Sequence, residues 1–264
     1  MILNRFGLLY SLFSILNQKN QSDADYIIAK YLLENYENMG DLNIYDVADS
    51  CYVSRYTVRR FCQAIGFENF SDLKKQFTKY DDAYEKYLMI YQHDDFNSYF
   101  MQEVNDTAKA INAIDDSLIE DIASKINDSS EVVFLTSSIG ATAVAQFQQG
   151  MIFANKVIQV VGDHFENHHL LNSLDEDDLL IVLSGSAGIA KSIVPQLKQY
   201  KVKTVLMTMN EDVDDLSEYD HIYSLRNVST DDALSVVHIK YGFMFFLDRL
   251  LSYYISEYSE KGNM

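Results

Sequence analysis

The chain is poor in residues that break a backbone and poor in positive charge. Its 264 residues include one proline and ten glycines, so turns and domain limits have to be read from charge and periodicity. Two cysteines, Cys51 and Cys62, exclude a disulfide framework. Neither has a Cys or His partner at metal-ligand spacing, and both read as buried apolar filler. No apolar run approaches the length of a membrane span. The run from Phe6 to Leu16 follows Arg5 and is closed by Asn17-Gln18-Lys19-Asn20, not by a small-residue cleavage site. That argues against a signal peptide. Its bulky residues Ile2, Phe6, Leu9, Phe13 and Leu16 alternate four- and three-residue spacing, which predicts one face of a packing helix. A cytoplasmic protein with no membrane partner is expected.

Basic residues are scarce: 21 Lys/Arg stand against 39 Asp/Glu, for a net charge of −18. Such a balance argues against a nucleic-acid partner until its distribution is read. Residues 1–80 hold nine basic and nine acidic residues, so the whole deficit lies in 81–264, where twelve meet thirty. Within 51–66 there are three arginines and no acid. An acidic body carries a locally basic segment, and that asymmetry is itself a functional signal.

Hydrophobic content of 48% excludes a disordered chain. Ser22-Asp23-Ala24-Asp25 resembles a capping box, opening a helix through Ile27, Ile28, Tyr31, Leu32 and Tyr36. Asn43 is placed to cap a short helix through Ala48, and Ser54 another through about Ile65. Gly66 sits where a helix C-terminus wants glycine. One more short helix is expected over 69–79, then a polar helical stretch over 81–127 with breaks at Asp94-Asp95 and Asp115-Asp116. After Ser130 the pattern changes. The runs Glu131–Thr136, Lys156–Val161, Asp178–Leu183 and Lys203–Met207 are rich in Val, Ile and Leu and suit buried parallel strands. A fifth strand is expected at His221–Leu225. Helical stretches alternate with the strands at about 140–154, 164–173 and 188–200, and Asp232–Ser259 reads as a long closing helix. Such alternation predicts a doubly wound parallel sheet. The expected domains are a helix-turn-helix domain over 1–80, a helical connector and start of the next domain over 81–127, and an α/β domain over 128–264.

Residues 42–67 read LNIYDVADSCYVSRYTVRRFCQAIGF. Val47 and Cys51, then Val53, Val58, Phe61 and Ile65, are spaced to pack two crossing helices, with small Ala48 at the crossing and Ser54 as second cap. Arg55 and Arg59, four apart, share one side of the second helix, flanked by Tyr56 and Arg60. Arginine bonds a guanine edge bidentately or pairs with phosphate. The expected DNA-contacting residues are therefore Ser54, Arg55, Tyr56, Thr57, Arg59 and Arg60, with Lys74 and Lys75 on the trailing helix. Tyr52 stands in the turn position usually given to glycine, where a left-handed backbone is strained.

The stretch VSRYTVRRFCQAIGFENFSDLKKQF resembles the RpiR family of bacterial regulators, through Val53, Ser54, Thr57, Val58, Arg60, Phe61, Ile65, Gly66, Phe67, Phe70, Asp72, Leu73 and Lys74. The resemblance implies a fold: an all-α helix-turn-helix domain followed by an α/β sugar isomerase (SIS) domain with a parallel five-stranded sheet. It also implies a phosphosugar site in the loops after the first and third strands. There the chain departs from the family pattern. After the third strand it has Ser184-Gly185-Ser186-Ala187-Gly188-Ile189, with Ala187 for a glycine and Ile189 for a hydroxyl. After the first it has Ser137-Ser138-Ile139-Gly140-Ala141-Thr142. The expected ligand residues are Ser137, Ser138, Ser184, Ser186, Ala187 and Gly188, and Ile189→Thr is expected to tighten binding. His164, His168 and His169 read as surface or rim residues, because adjacent histidines on a helix diverge by about 100°. No catalytic residue, cofactor or metal is assigned.

These readings predict a DNA-binding transcriptional regulator, not an enzyme, whose SIS-like domain senses a small molecule of carbohydrate metabolism such as a phosphosugar. The expected partners are double-stranded DNA, that effector, and a second copy in a homodimer or homotetramer. The alternatives are an isomerase-type enzyme acting on sugar phosphates and a regulator whose SIS domain only oligomerises.

Overall fold

The computed structural model describes residues 6–78, 91–92, 94–162, 168–210, 214–225 and 235–259. Ile2, Asp163, His164, Glu166, Glu211 and Asp232 lie outside them, as do 81–90 of the expected connector. Contacts divide the chain into two units, residues 3–86 and residues 87–264 with 1–2.

In the first unit the helices are α1 (Phe6–Gln18), α2 (Ala24–Glu34), α3 (Ile44–Ser50), α4 (Arg55–Ala64) and α5 (Phe70–Thr78). Asn43 starts α3 with a full capping box. Its Oδ1 accepts from the Tyr45 and Asp46 amides at 2.9 and 3.1 Å, and the Asp46 carboxylate accepts from the Asn43 amide at 3.0 Å. Ser54 starts α4 by accepting from the Thr57 amide at 3.1 Å. One face of α4, Val58, Phe61 and Cys62, is buried against Val47, Ala48, Leu73 and Ile28. Burial of a side chain such as Phe61 contributes about 1.5–3 kcal/mol, and only 1% of it stays exposed.

Both helix ends here use the same device. The Phe67 amide donates to the Cys62 carbonyl and the Gly66 amide to the Gln63 carbonyl, around Gly66 at φ 90°. At the end of α3 the Val53 amide donates to Ala48 and the Tyr52 amide to Asp49, around Tyr52 at φ 54°. These are paired Schellman bonds, and the pivot residue is left-handed. Glycine adopts that conformation freely; tyrosine does so at a cost of roughly 1–2 kcal/mol. Tyr52 is 96% exposed and recovers little by packing. Tyr52→Gly is therefore expected to stabilise the helical unit by about 1 kcal/mol, raising its melting temperature by about 4–8 °C. Thermal unfolding followed by circular dichroism measures it, and a lowered melting temperature would contradict the strain argument.

Two local expectations need correction. In α1 the inward face is Leu8 and Leu12, not Leu9, Phe13 and Leu16, and Phe13 is 47% exposed. The helix is apolar nearly all round, so its sequence period does not choose a face. The cap of α2 is Asp23, whose carboxylate accepts from the Asp25 amide at 3.0 Å, where the capping-box pattern pointed to Ser22.

In the second unit α6 (Phe96–Asn112) and α7 (Asp116–Asp128) lead into β1 (Val132–Thr136), α8 (Ser138–Met151), β2 (Gln159–Gly162), α9 (His168–Leu171), β3 (Leu179–Leu183), α10 (Gly188–Leu197), β4 (Lys203–Thr208), β5 (His221–Ser224) and α11 (Ser235–Tyr258). The five strands form one parallel sheet in the order β2-β1-β3-β4-β5. Alternate strand residues enter opposite cores. Phe134, Ile181 and Val205 pack with Ile111, Ile122, Phe147 and Phe246, while Leu135, Val182 and Leu206 pack with Leu171, Leu197 and Tyr219. Every residue of β1 and β3 is buried, which is why their sequences are unbroken apolar runs. Strand β2 begins three residues later than expected. Lys156 is taken up in closing the preceding helical segment, where its amide reaches the Met151 carbonyl around left-handed Asn155. Among the described residues no helix is long and apolar enough to cross a membrane.

Candidate functional site

Two surfaces carry the residues singled out by the sequence, one in each unit. On α4, Arg55, Tyr56, Arg59 and Arg60 are exposed. Arg55 and Arg59 lie on one side of the helix, and Tyr56 and Arg60 on the adjoining one. None of the three arginines is ion-paired among the described residues. Ser54 and Thr57 are engaged with each other, hydroxyl to hydroxyl at 2.9 Å, besides the cap bond. Lys75 is exposed on α5 and Lys74 half-buried. The sequence reading missed Tyr45. Its ring is 58% exposed and lies under the Arg55 guanidinium, 4.7 Å from centroid to Cζ. The signal available was its place two residues after the Asn43 cap.

The cysteines are buried on the inner side of these helices. Burial pushes the Cys51 thiol up to about 11 and the Cys62 thiol up to about 12, so both stay protonated and unreactive near neutral pH. A concavity of about 340 Å³ in this unit is lined by Tyr26, Lys30, Tyr31, Glu34 and Ser50. Two pairs lie along it, Lys30 with Glu34 at 3.6 Å on α2 and Ser50 with Tyr31 at 3.3 Å, and we assign it no ligand.

In the α/β unit the strand order reverses direction between β1 and β3, so the crevice outside their carboxyl ends is where such sheets bind ligands. Thr136 and Leu183 are register partners there, and the Thr136 hydroxyl donates to the Leu183 carbonyl at 2.8 Å. Ser137 follows β1, half-buried, with no capping bond from its side chain. The side chain of Ser138 lies outside what the structure describes, as do those of His168 and His169. After β3 the candidates separate into two groups. Ser186 and Gly188 are exposed. Ser184 is 3% exposed and faces inward, its hydroxyl accepting from the Ala190 amide at 3.4 Å and its carbonyl from the Ala187 amide at 3.1 Å. It buttresses the loop. Ala187 is fully buried and left-handed, at φ 61°. It stands at the start of α10, whose first amides, those of Gly188 and Ile189, have no carbonyl partner within the helix.

Ile189 overturns an expectation. Its side chain is 8% exposed and packs in the apolar cluster with Leu135 and Leu197, so it faces the core and not the crevice. Ile189→Thr is now expected to lower stability by about 1–2 kcal/mol and not to tighten ligand binding. Ser186→Ala is expected to leave stability within about 0.5 kcal/mol. Urea unfolding of both variants separates these outcomes.

Residues the sequence did not flag close the same edge. The Asn210 side chain donates to the Ser186 carbonyl at 3.5 Å, and the Thr208 hydroxyl to the Gly185 carbonyl at 3.3 Å. Gly185 has no room for a side chain, since a Cβ there would lie 2.4 Å from Ile239 Cγ1 of α11. Beside Ile239, His238 is 3% exposed. Its Nδ1 lies 2.7 Å from the Thr107 hydroxyl and its Nε2 3.1 Å from the Glu103 carboxylate, both on α6. The Thr107 hydroxyl also donates to the Glu103 carbonyl at 2.7 Å. The buried ring is thus held between a hydroxyl and a carboxylate of α6. Among the described residues no group of three His, Cys, Asp or Glu side chains could hold a metal ion.

Comparison with known proteins adds the following. Residues 11–83 match the family model described as "Helix-turn-helix domain, rpiR family". The chain is 22% identical over 170 residues to an uncharacterized HTH-type transcriptional regulator of Providencia stuartii, covering 61% of this chain and 60% of that protein. It is 24% identical over 187 residues to the HTH-type transcriptional regulator GlvR of Bacillus subtilis, covering 70% and 69%. Among solved structures it is similar to the Vibrio vulnificus NanR protein complexed with ManNAc-6P, at 19% identity, 95% and 92% coverage and a TM-score of 0.49.

Proposed function

Because residues 11–83 match the rpiR-family helix-turn-helix model, we propose that this chain is a DNA-binding transcriptional regulator whose α/β domain senses a small molecule. One observation carries the DNA reading. Three exposed arginines stand on α4 with no ion-pair partner among the described residues, in a chain of net charge −18. An anionic partner accounts for them, and the first turns of a helix-turn-helix second helix enter the major groove.

For the second domain the effector class is a sugar phosphate. The exposed Ser186, the half-buried Ser137 and the first amides of α10, those of Gly188 and Ile189, present hydrogen-bond donors at the sheet's switch point. Ser184 and Ala187 shape the loop from inside. The regulator acts in the cytoplasm as a homodimer or homotetramer. Residues 1–80 sum to zero charge, so one copy makes few phosphate contacts and linked copies must supply affinity.

Selection of duplexes from a random pool by the full chain tests the first half. Enrichment of a palindromic or repeated motif is expected; recovery of unenriched sequence would refute it. Thermal shift with sugar phosphates and the same sugars without phosphate tests the second. Stabilisation by a phosphorylated member without its conversion supports a sensor, conversion an enzyme, and silence a domain that only oligomerises.

A further inference from the structure

We infer that Tyr45 is a positioning residue for DNA recognition, which holds the Arg55 guanidinium in the orientation that reads a base. The inference rests on the DNA-binding reading above and adds a residue outside α4. Tyr45 is the second residue of α3 and Arg55 the first of α4. Each backbone is pinned by its own cap, the Asn43–Asp46 box for Tyr45 and the Ser54 hydroxyl for the start of α4. The buried contact of α3 with α4 through Val47, Ala48, Val58 and Phe61 fixes one helix start against the other. Ring and guanidinium therefore meet without either backbone having to move.

Arg55 sits badly for stability. A cation in the first turn opposes the positive end of the helix dipole, and no ion pair among the described residues offsets it. The Tyr45 ring supplies the compensation, because its π face attracts the guanidinium 4.7 Å away. A guanidinium over a ring is covered on that side only. Its edge stays open in the fork geometry that matches guanine N7 and O6. Both side chains are exposed, so the stack adds little to the core. What it does is limit a long side chain to few conformers before DNA arrives, and a preorganised donor loses less freedom on binding.

A double-mutant cycle on the full chain tests this, with anisotropy titration of a duplex selected by the wild type and of a scrambled duplex. Tyr45→Ala is expected to weaken binding to the selected duplex by about three- to fivefold, with an unchanged salt slope and little effect on the scrambled one. Arg55→Ala is expected to weaken it more. The double variant should match Arg55→Ala alone, and Tyr45→Phe, which keeps the ring, should stay within about twofold of wild type. Melting temperatures serve as the fold control. Additive losses would mean that Tyr45 acts independently of Arg55 and would overturn the positioning role, as would wild-type binding by Tyr45→Ala. Failure of the wild type to select any duplex would overturn the DNA reading itself, and the inference with it.

Discussion

Arg59→Ala is expected to reduce discrimination between the selected duplex and random DNA sharply while leaving the fold intact. Arg59 lies one turn into α4 on the same side as Arg55, exposed and without an ion pair among the described residues. Loss of one bidentate base contact costs about 1–3 kcal/mol, or roughly a five- to 150-fold loss in affinity for the selected site. Lys75→Ala provides the contrast. It is exposed on α5, so its loss should weaken all duplexes alike and lower the salt slope by about one. Titration of both variants at several salt concentrations, on selected and scrambled duplexes, separates base reading from phosphate contact. Equal, sequence-independent losses from the two would mean that α4 does not read bases.

The second large effect is expected far from DNA. His238→Ala should destabilise the α/β unit by about 3 kcal/mol, because it removes the buried ring that faces Glu103 and Thr107 and leaves a cavity. The lower part of the usual range applies, since the Glu103 side chain keeps 18% of its surface exposed. Combining His238→Leu with Glu103→Leu should recover most of that loss, since apolar replacement of a whole buried pair removes both desolvation penalties. Urea unfolding of the full chain, followed by far-UV circular dichroism, measures the series. A double variant no more stable than His238→Ala would show that the pair contributes through packing and not through charge. The position matters functionally as well. His238 adjoins Ile239, which closes on Gly185 at the candidate ligand loop, so weakening this pair loosens the support of that loop.

Much of the molecule was legible in the sequence because its signals are local. Asn43, Ser54 and Gly66 act within four residues of themselves, through hydrogen bonds whose geometry depends on the neighbouring backbone alone. The five-stranded parallel sheet was legible too, since strands buried on both faces can only be unbroken apolar runs. The arginines of α4 announced themselves by the absence of acids around them over 51–66.

Other features were decided by atoms distant in sequence. Which side of α1 turns inward was settled by what it packs against, because a helix apolar nearly all round has no preferred face of its own. The roles within Ser184-Gly185-Ser186-Ala187-Gly188-Ile189 were equally hidden. A serine reads alike whether it faces a crevice, as Ser186 does, or reaches back to the Ala190 amide, as Ser184 does. Tyr45 and Arg55 meet across the α3–α4 turn, and His238 meets Thr107 131 residues away. By itself, the sequence determined where helices start and stop, which runs become strands and where basic charge gathers, since those follow from backbone hydrogen bonding and side-chain period. Only the tertiary structure decided which hydroxyls remain exposed and which charges find partners, since burial and pairing depend on how separate elements pack.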